Sequence, residues 1–256
     1  MSIKKLLVVN PNASPDMTEL VKSGVDRHLG PNIVATYWTC PEGPTVLKSQ
    51  EDIELSTRLC LENLKQSTPK YDSFLLACYA DHPLTAALKV EVGPDKPVVG
   101  IFEASINAAL DVINWQPLPV LGRFAIMTTG KAFEKQLSDG VTRILGDSKT
   151  AHQESCFAGV ISTGIVPGDT MPEIIKTAKQ KVQKAVQKLM MSDDDDDEIV
   201  VVCMGGVILY GLEDFVLKSC QTDDTTQKRM IIIDQLEAGV DMIKRELEKS
   251  STTQNI

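Results

Sequence analysis

Short apolar runs alternate with longer amphipathic stretches along the chain, and this alternation constrains the fold more than any other feature. The runs are rich in Val, Ile and Leu and are bounded by Gly, Pro, Asn or Asp. Most are apolar without a break, which is typical of parallel strands covered on both faces. We predict strands at residues 3–9, 33–37, 73–77, 98–101, 124–128, 158–162, 198–202 and 230–233.

The stretches between these runs have the periodicity of helices. They predict helices at residues 15–29, 45–66, 84–92, 104–114, 131–145, 171–191, 208–219 and 235–249. Ser14-Pro15-Asp16 supplies the capping side chain, first-turn proline and early acid that are typical of a helix start. Strands and helices in strict alternation predict an α/β fold with parallel sheets.

The second half of the chain repeats the pattern of the first. PVVGIFEASINAALDVI, from Pro97, matches RMIIIDQLEAGVDMIKR, from Arg229, when Glu103 is aligned with Glu237. FLLACYADHPL matches IVVVCMGGVIL, and LLVVNPNASPDMTEL matches FAIMTTGKAFEKQL, in the same order. We therefore predict two pseudo-symmetric domains, residues 1–102 plus 235–256 and residues 103–234. Each is a four-stranded parallel sheet flanked by helices, with the active site in the interdomain cleft.

Charge and motif content exclude several classes of function. The net charge is −9 with no cluster of Lys and Arg, so neither nucleic acid nor a membrane surface is an expected partner. No apolar run approaches the ~20 residues of a spanning helix, and the first residues lack a signal-peptide cleavage site, so a cytoplasmic location is expected. No CxxC, HExxH or P-loop motif occurs, so neither a metal nor an organic cofactor is expected. The aspartate run at 193–197 predicts a solvated loop.

Ligands of parallel sheets bind at the carboxyl ends of the strands. The side chains predicted at these ends are Asn10, Asn12, Cys78, Thr128, Thr129 and Cys203. Cys78 and Cys203 occupy corresponding positions in the two halves. Two thiols that face one cleft could remove a proton from one face of a carbon and return a proton to the other. The alternative interpretation is two buried structural cysteines.

Proton removal next to a carbonyl needs a base and a stabilised enolate. We expect the N-terminus of the following helix to lower the thiol pKa from its usual value of about 8.5. Backbone N–H groups at Ala80, Asp81, Gly205 and Gly206, with Thr128 and Thr129, are the expected donors to the enolate oxygen. Tyr79, in the same turn as Ala80, is also expected to bind the substrate. Other roles remain open: Asp81 can instead cap a helix, Asn10 and Asn12 can satisfy their own turn, Glu103 and Glu237 can serve as caps, and Cys40 can line the cleft or pack.

Five segments together carry a resemblance to a known family. They are the Asn-Pro-Asn segment after the first strand, Cys78-Tyr79-Ala80-Asp81, VVGIFEA at 98–104, TTGKAFE at 128–134 and the turn at Cys203. In this order they resemble the Asp/Glu/hydantoin racemase superfamily, and specifically the fungal members of its hydantoin racemase branch that are linked with allantoin use. The resemblance implies two pseudo-symmetric α/β domains, no cofactor, a homo-oligomer and a catalytic pair on Cys78 and Cys203. It also implies 5-substituted hydantoins, including allantoin, as substrates.

The chain departs from the family pattern near both cysteines. The first motif usually runs Cys-Phe-Gly-Asp-Pro-Gly, whereas here Ala80 replaces a glycine and His82 adds a titratable group. After the second cysteine stand Met204, Gly205 and Gly206. These changes bear on the substrate, so amino-acid racemases and decarboxylases or cis–trans isomerases of small dicarboxylates remain alternatives. A non-catalytic two-lobed ligand-binding protein is another. Few basic residues fall at the predicted strand ends, which favours a neutral ring.

Overall fold

The computed structural model describes residues 3–115, 122–146, 156–166, 169, 175–190, 199–220 and 230–253. The chain forms two compact units: Met1–Ala104 with Leu236–Ile256, and Ser105–Gln235. The aspartate run at 193–197 lies outside the described residues. Within the described part, no helix is long and apolar enough to cross a membrane.

The first unit contains a parallel sheet in the order β2-β1-β3-β4. Its strands are β1 (Lys4–Asn10), β2 (Ile33–Thr39), β3 (Ser73–Leu76) and β4 (Val98–Gly100). The connecting helices are α1 (Pro15–His28), α2 (Gln50–Leu64) and α3 (Pro83–Val92). Helix α4 (Ile101–Trp115) begins in this unit directly after β4.

The second unit repeats this arrangement, with strand order β6-β5-β7-β8 and all neighbours parallel. Its strands are β5 (Arg123–Thr128), β6 (Phe157–Ser162), β7 (Ile199–Gly205) and β8 (Ile231–Ile233). The helices are α5 (Ala132–Gly146), α6 (Ile175–Met190) and α7 (Glu213–Cys220), and α8 (Gln235–Thr253) continues into the first unit. The prediction of two four-stranded parallel sheets flanked by helices is confirmed.

Local chemistry sets the helix starts. Helix α1 begins at Pro15, with the Ser14 hydroxyl accepting from the Met17 amide, as the sequence predicts. Helix α2 begins at Gln50 rather than at residue 45, because Ser49 and Asp52 form a reciprocal capping box that ends the preceding loop. Helix α7 begins at Glu213 rather than 208, because a short 3₁₀ turn at Val207–Leu209 and Gly211, with a φ of 86°, intervene.

Buried side chains from strands and helices form the core of each unit. Phe74, Leu76 and Leu84 belong to one such cluster in the first unit, and Ala125, Val202 and Val216 to one in the second. Helix α8 lies close to the first sheet at Gly239, where an added Cβ would come within 2.9 Å of Leu75 Cδ1. A larger residue at position 239 would therefore force the buried Leu75 side chain to shift.

Candidate active site

Cys78 lies just beyond β3, in the loop that leads to α3. The strand ends at Leu76, the Ala77 amide still donates to the Val9 carbonyl at 2.8 Å, and the chain then turns. The Ala80 amide donates to the Cys78 carbonyl at 3.1 Å, which closes the turn around the cysteine. Of the six cysteines, all within the described residues, Cys78 alone is partly exposed.

The environment of Cys78 favours the neutral thiol. Burial raises its pKa to about 12, and the negative charge of Glu103 acts in the same direction. The sequence predicted a lowered pKa, and the surroundings of Cys78 raise it instead. Helix α3 begins only at Pro83, after a loop, so its N-terminus does not follow the thiol directly.

Cys203 lies inside β7, where the sequence had placed it after the strand. It pairs with Ile126 on one side and Ile233 on the other, and β7 continues to Gly205. Its side chain is 0% exposed, and its thiol donates to the Ser105 carbonyl at 3.6 Å. Burial raises the pKa of Cys203 to about 12, against a smaller lowering by the Ser105 hydrogen bond.

The strand registers show that Cys78 and Cys203 do not occupy equivalent positions in their respective sheets. Val8 pairs with Leu75, whereas Ile126, which the duplication aligns with Val8, pairs with Cys203. Strand β8 gives the same result, because Ile233 pairs with Cys203 while its counterpart Val99 pairs with Leu75. The counterpart of Cys203 in the first sheet is therefore Leu75, not Cys78, and the predicted positional equivalence of the two cysteines is wrong.

Asn10 and Asn12 form a hydrogen-bonded turn at the end of β1. Asn10 is buried, and its Nδ2 lies within 3.1 Å of Asn12 Oδ1, the Ser14 carbonyl and Thr18 Oγ1. The Asn12 amide donates to Asn10 Oδ1 at 3.2 Å. Asn10 thus satisfies its own loop, one of the two predicted alternatives. Among the described residues, Asn12 Nδ2 has no acceptor, which leaves this group able to donate to a ligand.

His82 links the loop after β3 to the loop after β1. Its ring is 2% exposed, its Nδ1 accepts from the Leu84 amide at 3.2 Å, and its Nε2 lies 3.4 Å from Ser56 Oγ. The Ser56 hydroxyl donates to the Pro11 carbonyl at 2.7 Å. Burial lowers the pKa of His82 to about 4, against the opposing charge of Asp81, so the ring is neutral near pH 7. His82 is therefore a neutral cap that connects both loops.

The other residues predicted in this turn have structural contacts. The Tyr79 ring packs edge-on against Phe102, with centroids 5.3 Å apart. Ala80 is buried, and its amide is used by the Cys78 carbonyl, so this N–H does not serve as the predicted enolate donor. Asp81 is partly exposed and precedes the His82 cap of α3, so His82, not Asp81, supplies the capping side chain.

Thr128, Thr129, Gly205 and Gly206 meet at the ends of β5 and β7. The Thr128 hydroxyl is buried and donates to the Gly205 carbonyl at 2.8 Å, which joins the two strand ends. Gly206 has a φ of 149°, a conformation that favours glycine. Thr129 is partly exposed, and its hydroxyl has no partner among the described residues. Thr129 is therefore the threonine better placed to donate to a ligand.

Two side chains near these strand ends were not predicted in a ligand-binding role. Glu103 lies in the first turn of α4 beside Gly100 and acts on the pKa of Cys78. Gln235, the first residue of α8, is 0% exposed and donates through Nε2 to the Gly206 carbonyl at 3.3 Å. Their position in the sequence could have indicated them, since both residues lie just after the last predicted strand of their half.

The last two features are the position of Cys40 and the grouping of potential metal-binding side chains in the part of the chain that the structure describes. Cys40 is buried, and its thiol donates to the Glu42 carbonyl at 3.1 Å, so it packs rather than lining a cleft. No group of three or more His, Cys, Asp or Glu side chains in the described part of the chain is arranged to hold a metal ion.

Comparison with known proteins identifies relatives by sequence and by fold. The chain is 38% identical over 165 residues to an uncharacterised protein of Schizosaccharomyces pombe, covering 64% of this chain and 62% of that protein's length. It is 25% identical over 186 residues to a hydantoin racemase of Paenarthrobacter aurescens, covering 72% of each. The fold matches the crystal structure of an allantoin racemase from Pseudomonas fluorescens with a TM-score of 0.75 at 16% identity, covering 96% of this chain and 91% of that one.

The family model for the Asp/Glu/hydantoin racemases matches residues 6–243, which is most of the chain. The duplicated parallel sheets and the strand-end cysteine turn at Cys78 fall within this match. This protein therefore belongs to the Asp/Glu/hydantoin racemase family.

Proposed function

We propose that this protein racemises 5-substituted hydantoins, with allantoin the favoured substrate. The observation that carries the proposal is the similarity to hydantoin racemases over 72% of the chain, within a family match to residues 6–243. The fold match to an allantoin racemase shows that the chain has the fold on which such a reaction occurs in that protein. The substrate of this protein is our proposal.

The proposed reaction moves one proton off C5 and another onto it. The thiolate of one cysteine takes the C5 proton and becomes a thiol, while the C–H electron pair moves into the ring to form an enolate at the adjacent carbonyl. The second cysteine donates its thiol proton to the opposite face of C5 and becomes the thiolate. Cys78 and Cys203 exchange these roles for the opposite enantiomer. Side chains alone balance this transfer, so the proposal includes no cofactor.

The charge of the strand-end residues supports a neutral ring over a dicarboxylate. The segments after β1, β3 and β7 supply Asn12, Asp81 and Gly206 but no lysine or arginine, and the segment after β5 carries a single lysine, Lys131. Glu103 adds a further negative charge near Cys78. A glutamate, aspartate or maleate substrate would need a cationic or donor-rich clamp for its carboxylates. A hydantoin needs only donors and acceptors for its ring N–H and C=O groups, which amides and hydroxyls can supply.

The function is tested with single enantiomers. Allantoin and 5-methylhydantoin are incubated with the protein in D₂O, and loss of ellipticity and loss of the C5 proton signal are followed together. Glutamate, aspartate and maleate serve as parallel substrates. We expect racemisation of both ring compounds and no reaction of the three carboxylates. Loss of neither signal with either ring compound contradicts the proposal.

The roles of the two thiols are tested by serine substitutions. Cys78→Ser and Cys203→Ser should each lower racemisation by at least about 10³-fold, because serine is a far weaker base than a thiolate. Each variant should retain C5 exchange for only one enantiomer, since one base still operates. Cys40→Ser, which removes a packed thiol elsewhere in the first unit, is the control. Normal racemisation by either single variant would show that the two-thiol mechanism is wrong.

A further inference from the structure

Gln235 holds a buried acceptor that nothing in the described protein uses. Its side chain is 0% exposed, and no donor among the described residues lies within hydrogen-bond distance of its Oε1. Its Nε2 donates to the Gly206 carbonyl at 3.3 Å. A buried acceptor without a donor is costly, and native proteins keep few of them. Such an atom next to a predicted ligand-binding strand end therefore needs an explanation.

The orientation of the amide is defined by its neighbour. Gly206 offers a carbonyl oxygen, which can only accept, so the Gln235 atom facing it must be Nε2. Flipping the amide would bring two acceptors together and leave the donor group unused. The available atom is thus Oε1. A group that binds it must bring an N–H or O–H.

The duplicated framework shows that a polar side chain is not required at this position. The alignment of Glu103 with Glu237 makes Ile101 the counterpart of Gln235, and each is the first residue of the helix that follows the last strand. Ile101 is fully buried, and its Cγ2 lies 3.0 Å from the position of a Cβ at Gly239. Packing alone is therefore met by an apolar residue in the first unit. The amide in the second unit adds chemistry that packing does not need.

We infer that Gln235 recognises the substrate, with Oε1 accepting an N–H of the ring and the Gly206 contact holding the amide in place. The inference rests on the proposed hydantoin substrate and deepens it. A ring N–H supplies the missing donor, whereas an ester or ether oxygen at the same place would meet the carbonyl oxygen and be rejected. Gln235 is thus a specificity residue for cyclic ureides and imides, acting beside Gly206 at the end of β7.

One substitution, Gln235→Met, is expected to increase stability and to weaken ligand binding. Gln235→Met keeps the length of the side chain and removes the unpartnered acceptor. The Gly206 carbonyl keeps its bond from the Leu209 amide at 2.9 Å. We expect Gln235→Met to raise the thermal midpoint of the ligand-free protein, because a buried unsatisfied atom is lost. Binding should weaken in the same variant.

Binding is measured by calorimetry with 5,5-dimethylhydantoin, which keeps the ring N–H groups but has no C5 proton to transfer. The comparison ligands are 1,5,5-trimethylhydantoin, in which the N–H next to C5 is methylated, and 3,5,5-trimethylhydantoin, in which the other N–H is methylated. The wild type should bind at least one comparison ligand about 10-fold or more weakly than the parent ring. Gln235→Met should bind the parent about 10-fold more weakly than wild type and lose most of that discrimination.

The matched control is Ser73→Ala. Ser73 Oγ is also buried without a partner among the described residues. It lies at the start of β3, whereas the candidate ligand-binding residues lie at the carboxyl ends of the strands. It should gain stability without changing any binding constant. Three results would overturn the inference. They are equal binding of the parent ring by wild type and Gln235→Met, unchanged discrimination among the ligands in the variant, and no binding by the wild type. Binding as expected without racemisation of any hydantoin overturns the proposed function and leaves the role of Gln235 intact.

Discussion

At the scale of single residues, both cysteines are held as thiols. Burial raises the pKa of Cys78 and of Cys203 to about 12, and Glu103 adds to the effect at Cys78. A thiol with a raised pKa is a weak acid whose thiolate is a strong base once formed. The proposed racemisation would therefore use a small thiolate population at neutral pH, in which each thiolate is basic enough to attack a weakly acidic C–H bond.

The raised pKa values set the direction of the pH dependence. Below the pKa, the thiolate fraction rises about tenfold with each pH unit, so kcat/KM for hydantoin racemisation should rise steadily from pH 7 to pH 9. Initial rates at low substrate concentration, with stability checked at each pH, measure this. A plateau already reached below pH 8 would indicate that a lowered thiol pKa governs the reaction, as the sequence predicted.

Replacement of Glu103 should increase the reactivity of the Cys78 thiol. Glu103→Gln removes a negative charge that raises the pKa of Cys78, so more thiolate forms at a given pH. We expect alkylation of Cys78 by iodoacetamide at pH 8 to become roughly 3- to 10-fold faster, measured by peptide mass spectrometry. Glu237→Gln is the matched control, since Glu237 occupies the equivalent helix position, is 54% exposed and lies 3.6 Å from His28. An unchanged rate in Glu103→Gln would contradict the electrostatic role.

At the scale of elements, the positions where strands end and helices begin determine where the candidate site residues lie. Strand β3 ends two residues before Cys78, whereas β7 runs two residues past Cys203. The cap at Ser14 was predicted from the sequence, because it depends on a neighbour three residues away. The capping box at Ser49 uses the same spacing, but it was missed, and the helix was predicted to begin at residue 45 instead of Gln50. The length of β7 depends on pairing with β5, which contacts it from a distant part of the chain, so the sequence alone could not place its end.

Packing of α8 on the first sheet gives a prediction at this scale. Gly239→Ala should destabilise the protein by about 1–3 kcal/mol, although alanine is the better helix former, because the new Cβ would press on Leu75 and Ile101. Urea unfolding measures the change. Gly146→Ala, at the end of α5 with nothing within 4 Å of its added Cβ, should be neutral or stabilising. A Gly239→Ala variant as stable as wild type would contradict the tight packing of α8.

At the scale of the whole molecule, the two units share one topology but differ in their sites. Both sheets have the order second, first, third, fourth strand, and both final helices begin two residues before a glutamate. The side chains on this common frame diverge: Glu103 faces the Cys78 region, while Glu237 lies near His28. Ile101 and Gln235 differ in the same way. A duplicated frame has thus been given unlike chemistry in its two halves.

The sequence predicted most of the strands and helices, the parallel sheets and the candidate residues at the strand ends. It could do so because apolar periodicity, capping side chains and turn residues act over a few neighbouring positions. The fold shows three further features: Cys203 has the register position that Leu75 has in the first sheet, burial raises both thiol pKa values with Glu103 adding to the effect at Cys78, and Gln235 Oε1 has no donor among the described residues. Register, burial and hydrogen-bond partners arise from segments far apart in the chain, so no local pattern encodes them.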